Sequence, residues 1–430
     1  MEQTNPKTVL LFGEGVTAAH VIRPLALARK FDHQQVRAVL ACPERFRPMA
    51  LQAGVEWRPL RSISTQVFTE RLTRGTPLYT LEELRGYVQE DLRLIAGVRP
   101  DAIVGDFRIS LGISAELCGV PHFTLSNAHW SPSARLPLPI PDHSMIRWIG
   151  ERNWGRVFRA TAPLFLQWQA KAFNRLRRAY GLTPVGGRGA PEVYTKGNRV
   201  LHLDSPALYP EVQIEEHERF IGPVLWAPDS RQPDWWDTMP STRPCVFMSA
   251  GSSGHGQAMR QAIRALGDAN STLMVATAGR FDHAELPASV YSADFIPGMQ
   301  AAARADAVVC NGGSGLVYQA LANGKPILGI PTNMDQYYVM EAVVRQGAGR
   351  LLRSGAMKPE RVRHEVSLLL NDPSYRESAE RLKSDIAAAD PAKALESEIL
   401  SAGPTETQRD FVLERMPCQN RGFRASLDPT

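Results

Sequence analysis

Short apolar runs alternate with longer amphipathic stretches along the first half of the chain. Residues 8–13 (TVLLFG), 36–42 (VRAVLAC), 101–106 (DAIVGD), 122–127 (HFTLSN) and 199–205 (RVLHLDS) read as strands; residues 21–31 and 81–96 read as helices between them. Continuous β-branched runs separated by helices predict a parallel sheet buried on both faces. Residues 143–180 break the alternation with a long helical pattern rich in Trp and Arg.

The pattern lapses between 220 and 244, where the proline-rich stretch GPVLWAPDSRQPDWWDTMPSTRP has neither helical nor strand periodicity and reads as an interdomain linker. A second alternation follows. CVFMSAGSSG, TLMVATAG, VYSADFI, AVVCNGG and PILGIP read as strands, and residues 359–370 and 374–389 as helices. The expected fold class is α/β, with two doubly wound, Rossmann-like domains facing each other across a cleft. The expected division is 1–222, a linker at 223–244, 245–385, a helix at 386–402 that crosses back to the first domain, and a tail at 403–430. In such sheets ligands bind outside the carboxyl ends of the strands, so the chemistry is expected in the turns that follow them.

Composition narrows the class. The 430 residues are 43% hydrophobic and 22% charged, an ordinary globular mixture. No apolar run reaches the roughly 18 residues of a membrane span, and the start, MEQTNPKTVLLFGEG, lacks signal-peptide architecture, which predicts a cytoplasmic protein. The five cysteines are scattered and form no CxxC pair, so neither a disulfide framework nor a zinc site is indicated. A net charge of +5, spread along the chain with an excess between 135 and 188, gives no nucleic-acid footprint, but suits an anionic nucleotide or a membrane surface.

The strongest chemical signal is residues 311–336, NGGSGLVYQALANGKPILGIPTNMDQ. A strand runs into Gly312, Gly313, Ser314 and Gly315, and a helix follows. Free N–H groups at such a helix start make an anion site suited to a diphosphate. A second turn, Gly251, Ser252, Ser253 and Gly254, follows the first strand of the same half. A lone glycine turn is equally a tight connection; two in one half, with Asp335 and Gln336 after the next strand, point to a ligand.

This stretch resembles the donor signature of inverting glycosyltransferases of the UDP-glycosyltransferase family, which have the GT-B fold and include bacterial small-molecule and macrolide enzymes. The likeness lies in the GG turn, the helix, Ala-Leu-x-x-Gly-x-Pro at 320–326, and a Pro followed by Asp-Gln; GPVLW at 222 matches the family's interdomain position. The resemblance implies a nucleotide-sugar donor, UDP- or dTDP-linked, as co-substrate, a small acceptor that can be hydrophobic, and no cofactor or metal. It assigns donor contacts to Gly251, Ser252, Ser253, Ile296, Asn311, Gly312, Gly313, Ser314, Gly315, Gln319, Asp335 and Gln336, the last two holding the sugar hydroxyls. Two positions depart from the family pattern: Asn311 stands where a His is usual, and Gln319 where a ribose-binding Glu is usual. Neutral amides bind phosphate and ribose more weakly than a cation and a carboxylate.

In the first half, His20 lies at the start of the first long helix, directly after strand one, and Asp106 ends the strand DAIVGD. This resembles the family's catalytic pair, a His that takes the acceptor's proton and an Asp that orients it. An imidazole, with an ordinary pKa of about 6.5, is suited to that step. Taken alone, His20 reads as a helix-start residue and Asp106 as an N-cap; beside the second-half signature the dyad is the preferred reading. His129 and Trp130 follow a strand end and are assigned to the acceptor pocket.

Residues 146–159 interleave Trp148, Trp154 and Phe158 with Arg147, Arg152, Arg156 and Arg159. They read as a surface for peripheral membrane contact or, the preferred reading, as a helix that packs its aromatics and extends its arginines into water. Two rival functions remain at this level: a degenerate GT-B subunit assisting a partner transferase, and a GT-B nucleotide-sugar epimerase.

Overall fold

Seven strands of the first half form one parallel sheet: β1 (Lys7–Gly13), β2 (Val36–Cys42), β3 (Glu56–Pro59), β4 (Ala102–Asp106), β5 (His122–Ser126), β6 (Arg199–His202) and β7 (Glu218–Phe220), in the order β3-β2-β1-β4-β5-β6-β7. Six strands of the second half form another: β8 (Cys245–Ser249), β9 (Thr272–Ala276), β10 (Val290–Ala293), β11 (Ala307–Cys310), β12 (Ile327–Gly329) and β13 (Gly349–Leu351), in the order β10-β9-β8-β11-β12-β13. This is the pair of doubly wound domains that the resemblance implied. The computed structural model describes residues 5–143, 145–226, 231–249, 256–267, 271–279, 283, 286–287 and 289–403.

The central strands are buried along their length, as both-face coverage by helices requires: Val9, Leu10, Leu11 and Phe12 of β1 are fully inaccessible. Strand order reverses between β1 and β4 and again between β8 and β11. Gly13 pairs with Asp106 at the first of these switch points, and Ser249 with Cys310 at the second. The His20 and Asp106 loops and the Asn311 turn therefore leave their sheets where a doubly wound fold opens its crevice.

Apolar packing joins the halves at two places. Leu208, Tyr209 and Val212 of the first half pack in one apolar cluster with Val317, Tyr318, Leu321 and Ile386 of the second. The helix Pro391–Ser401 places Ala392, Leu395 and Ile399 among Val9, Leu11 and Val21 of the first domain. Lys7 Nζ donates to the carbonyls of Ile399, Leu400 and Ala402 at that helix's end, at 3.1, 2.8 and 2.6 Å.

The long helical insertion is the helix Met145–Ala179, interrupted at Gly150 (φ 77°). Its Ala170, Phe173 and Leu176 enter the first domain's core. Three strands escaped the sequence pattern: β3, β7 and β13 have the sequences EWRP, ERF and GRL, four residues or fewer and without an apolar run.

Candidate functional site

Gly13 sets the position of the first site residue. A Cβ there would lie 2.9 Å from Val21 Cα and 3.1 Å from the His20 carbonyl, so only glycine lets the end of β1 approach the helix Ala19–Ala28 this closely. That approach brings His20 Nδ1 to 2.8 Å from Asp106 Oδ1. The ring stacks on Phe107 at 4.7 Å between centroids, and Phe107 itself sits at the left-handed φ of 60°. Such a φ is uncommon for a bulky residue and marks backbone held by its surroundings.

Arg23, one helical turn after His20, completes the cluster. Its guanidinium donates from Nε to Asp106 Oδ2 at 2.7 Å and from Nη2 to Oδ1 at 2.6 Å, and Nη2 lies 3.1 Å from His20 Nδ1. Burial pushes the Asp106 carboxyl up, but the Arg23 charge first and the His20 ring second hold it below the usual carboxylate range. Arg23 Nη1 also donates to Asn127 Oδ1 at 3.0 Å, and Asn127 Nδ2 donates to the buried Asp204 at 3.0 Å. Asp204 accepts the Tyr318 hydroxyl from the second half at 2.8 Å. A continuous side-chain chain thus runs from His20 to the helix Ser314–Leu321.

Across the cleft, Asp335 Oδ1 accepts two bonds from the first half, each 2.9 Å: one with His129 Nε2, the other from Trp130 Nε1. Burial works against its ionisation, yet the His129 and Trp130 bonds, with the charge of Arg23, hold the carboxyl down at about 2. Asp335 is therefore within electrostatic reach of the His20 cluster, and the residues assigned to base, acceptor and sugar form one site. Aromatic side chains line its first-domain wall, where Phe107 lies 5.3 Å from Tyr194 and Tyr194 5.2 Å from Trp130; across the cleft, His129 stacks on Tyr338 of the second half at 5.1 Å.

The second half presents backbone more than side chains. Gly312 has φ 80°, and a Cβ there would meet Met340 Cγ at 2.6 Å, so the turn admits glycine alone. Asn311 is buried and its Oδ1 accepts the Gly313 N–H at 3.2 Å, which fixes the turn. Gly313 caps the helix Ser314–Leu321 without a side-chain cap, and Gly315 is exposed, so the first amides of this helix face outwards. Gln319 donates to the Trp226 carbonyl at 2.8 Å. Gln336 is buried, with its Oε1 accepting from the Thr332 N–H and hydroxyl at 2.9 and 3.0 Å. Ile296 packs in the second domain's core. Gly251, Ser252 and Ser253 lie outside the described residues.

Arg23, Asn127, Asp204, Tyr318 and Tyr194 were not read from the sequence. Arg23 carried a usable signal, its spacing of three from His20 on one helix face. The others meet only through the fold.

No cluster of His, Cys, Asp and Glu able to hold a metal occurs among the described residues, and no helix among them is long and apolar enough to cross a membrane.

Residues 260–400 match the family model for the erythromycin biosynthesis protein CIII-like C-terminal domain. Over 374 residues, 87% of each chain, the sequence is 37% identical to a PGL/p-HBAD biosynthesis glycosyltransferase of Mycobacterium tuberculosis. It is 38% identical over 376 residues to a PGL/p-HBAD biosynthesis rhamnosyltransferase of Mycobacterium bovis, covering 87% of this chain and 83% of that one. Among solved structures, the spinosyn rhamnosyltransferase SpnG complexed with thymidine diphosphate superimposes with a TM-score of 0.66 at 17% identity, covering 91% of this chain and 99% of that one.

Proposed function

The chain belongs to the UDP-glycosyltransferase family and is a glycosyltransferase of the GT-B fold, and from that premise we propose that it works by single displacement, with His20 as the base. The acceptor hydroxyl gives its proton to His20 Nε2 as its oxygen bonds to the anomeric carbon. The bond from that carbon to the diphosphate breaks, and the nucleoside diphosphate leaves with the bonding electrons. Attack opposite the leaving group inverts the anomeric centre.

The 2.8 Å contact between His20 Nδ1 and Asp106 carries this reading. It commits Nδ1 to the carboxylate and leaves Nε2 as the basic nitrogen, and an ionised Asp106 stabilises the imidazolium that forms. Arg23 clamps the carboxylate in place through two hydrogen bonds. The outward amides at Ser314 and Gly315 would receive the diphosphate, where fixed dipoles meet the charge of the leaving group. Asp335, tethered through Oδ1, would hold a sugar hydroxyl with Oδ2. The aromatic wall of Phe107, Tyr194 and Trp130 suits a flat, apolar acceptor.

Thymidine diphosphate and UDP are both candidate carriers; the first is the nucleotide bound by SpnG. Calorimetric titration with UDP, dTDP and GDP, followed by transfer assays with the matching sugars, tests the donor assignment. Micromolar binding of one nucleotide supports it. A folded protein that binds none of them would sink it.

A further inference from the structure

The helix Met145–Ala179 has an outward face that the proposed chemistry leaves unused. Leu164 is 74% exposed, Val157 48% and Trp168 45%; Trp148, ahead of the break at Gly150, is 83% exposed. Val157, Leu164 and Trp168 are spaced by seven and four residues and so share one side of the helix. Lys171 and Arg175 continue the same line, and Arg152, Arg156 and Arg159 are exposed nearer its start. Single exposed apolar residues are ordinary, but three on one side of a helix, with cations continuing the same line, make a contact surface.

Charge identifies the occupant. The 35 residues hold eight basic side chains and one acidic, more positive than the whole chain at +5. The acidic one, Glu151, is taken by Arg353 at 2.7 Å, and Arg177 is buried against Glu116. Arg152, Arg156, Arg159, Lys171, Arg175 and Arg178 form no ion pair among the described residues. A second copy of this face would oppose cation to cation. Aromatic and aliphatic side chains between arginines and lysines match instead the interface of a bilayer containing anionic lipid.

We infer that the outward face of the helix Met145–Ala179 docks the enzyme peripherally on an anionic phospholipid bilayer. The approach to this helix is tied to the catalytic cleft: Asp142 accepts the Tyr337 hydroxyl at 2.7 Å, two residues from Asp335. Docking there would hold the cleft beside the membrane surface.

Flotation of the full chain with vesicles tests this without reference to catalysis. Vesicles of phosphatidylcholine and phosphatidylglycerol in equal parts should retain about tenfold more protein than phosphatidylcholine alone at low salt, an excess that fades as salt screens the cations. Leu164→Ser with Trp168→Ala, and separately Lys171→Gln with Arg175→Gln and Arg178→Gln, should each remove most of that binding and leave transfer to a water-soluble acceptor unchanged. Should either combination fail to fold, Trp148→Ala alone, with quenching of tryptophan emission by brominated lipid, gives the same readout. Equal retention on both vesicle types, no retention at low salt, or undiminished binding by the folded variants would overturn the inference. So would a dimer in sedimentation that Leu164→Ser dissolves, because the face would then belong to a second copy.

Discussion

The two walls of the cleft are built on the same strand order and by opposite means. On the first-domain wall, side chains hold one another: His20, Asp106, Arg23, Asn127 and Asp204 form an unbroken run of hydrogen bonds, most of it buried. On the second-domain wall, Asn311, Gln319 and Gln336 bond to nearby main-chain groups, and beside Asp335 the cleft meets a glycine turn and a helix start. On the mechanism proposed above, the first wall would serve proton transfer, which needs a particular nitrogen at a particular place, and the second would serve a leaving group, which needs only dipoles pointed the right way.

That contrast predicts how each wall fails. His20→Ala should have the largest effect, lowering kcat/KM by roughly 10²- to 10⁴-fold while calorimetry finds nucleotide affinity within about twofold. If both fall together, the two walls are not separable and His20 is structural. Asp106→Ala should come next. It leaves the mostly buried Arg23 guanidinium without its carboxylate, and denaturant unfolding should report a loss of about 3 kcal/mol.

The matching changes across the cleft should be smaller in stability and should fall on binding. Gly312→Ala forces a Cβ against Met340 at a backbone angle that favours glycine, for a cost of about 1–3 kcal/mol and a weakened nucleotide Kd. Asn311→Ala removes the neutral bond to the Gly313 N–H and should cost about 1 kcal/mol through the turn. An Asn311→Ala variant as unstable as Asp106→Ala would break the comparison.

Acid should act where the walls touch. The folded-state carboxyl of Asp335 lies at about 2, below its ordinary 3.8, so its contribution is fully present above pH 3.8 and is lost as pH falls towards 2. Trp130 emission should change across that window in the native protein and stay flat in Asp335→Asn.

The central strands were legible from sequence because burial on both faces demands a continuous apolar run, as in β1 and β2; of the edge strands only β10 was read, from VYSADFI. The edge strands β3, β7 and β13 carry no such demand and were silent. The site divides in the same way. His20 and the 311–336 turn were legible because each is a local pattern that a family resemblance can match. Asp204 and Tyr318 lie more than a hundred residues apart in sequence, and nothing local marks either as the other's partner. The helix Met145–Ala179 was expected mainly to pack its aromatics. Trp154 does stack on His143 at 4.3 Å, but Trp148 stands in solvent.

The return of the helix Pro391–Ser401 to the first domain bears on how such an enzyme can be recombined. A chimaera that exchanges the donor-binding half by cutting once, in the linker, would strip Leu395 and Ile399 from the recipient's core and leave the Lys7 ammonium facing carbonyls of a foreign sequence. The exchangeable module is therefore an internal segment with two junctions, one near residue 240 and one near 390. A library of hybrid transferases from this scaffold should yield folded members only when residues 391–401 travel with the acceptor half.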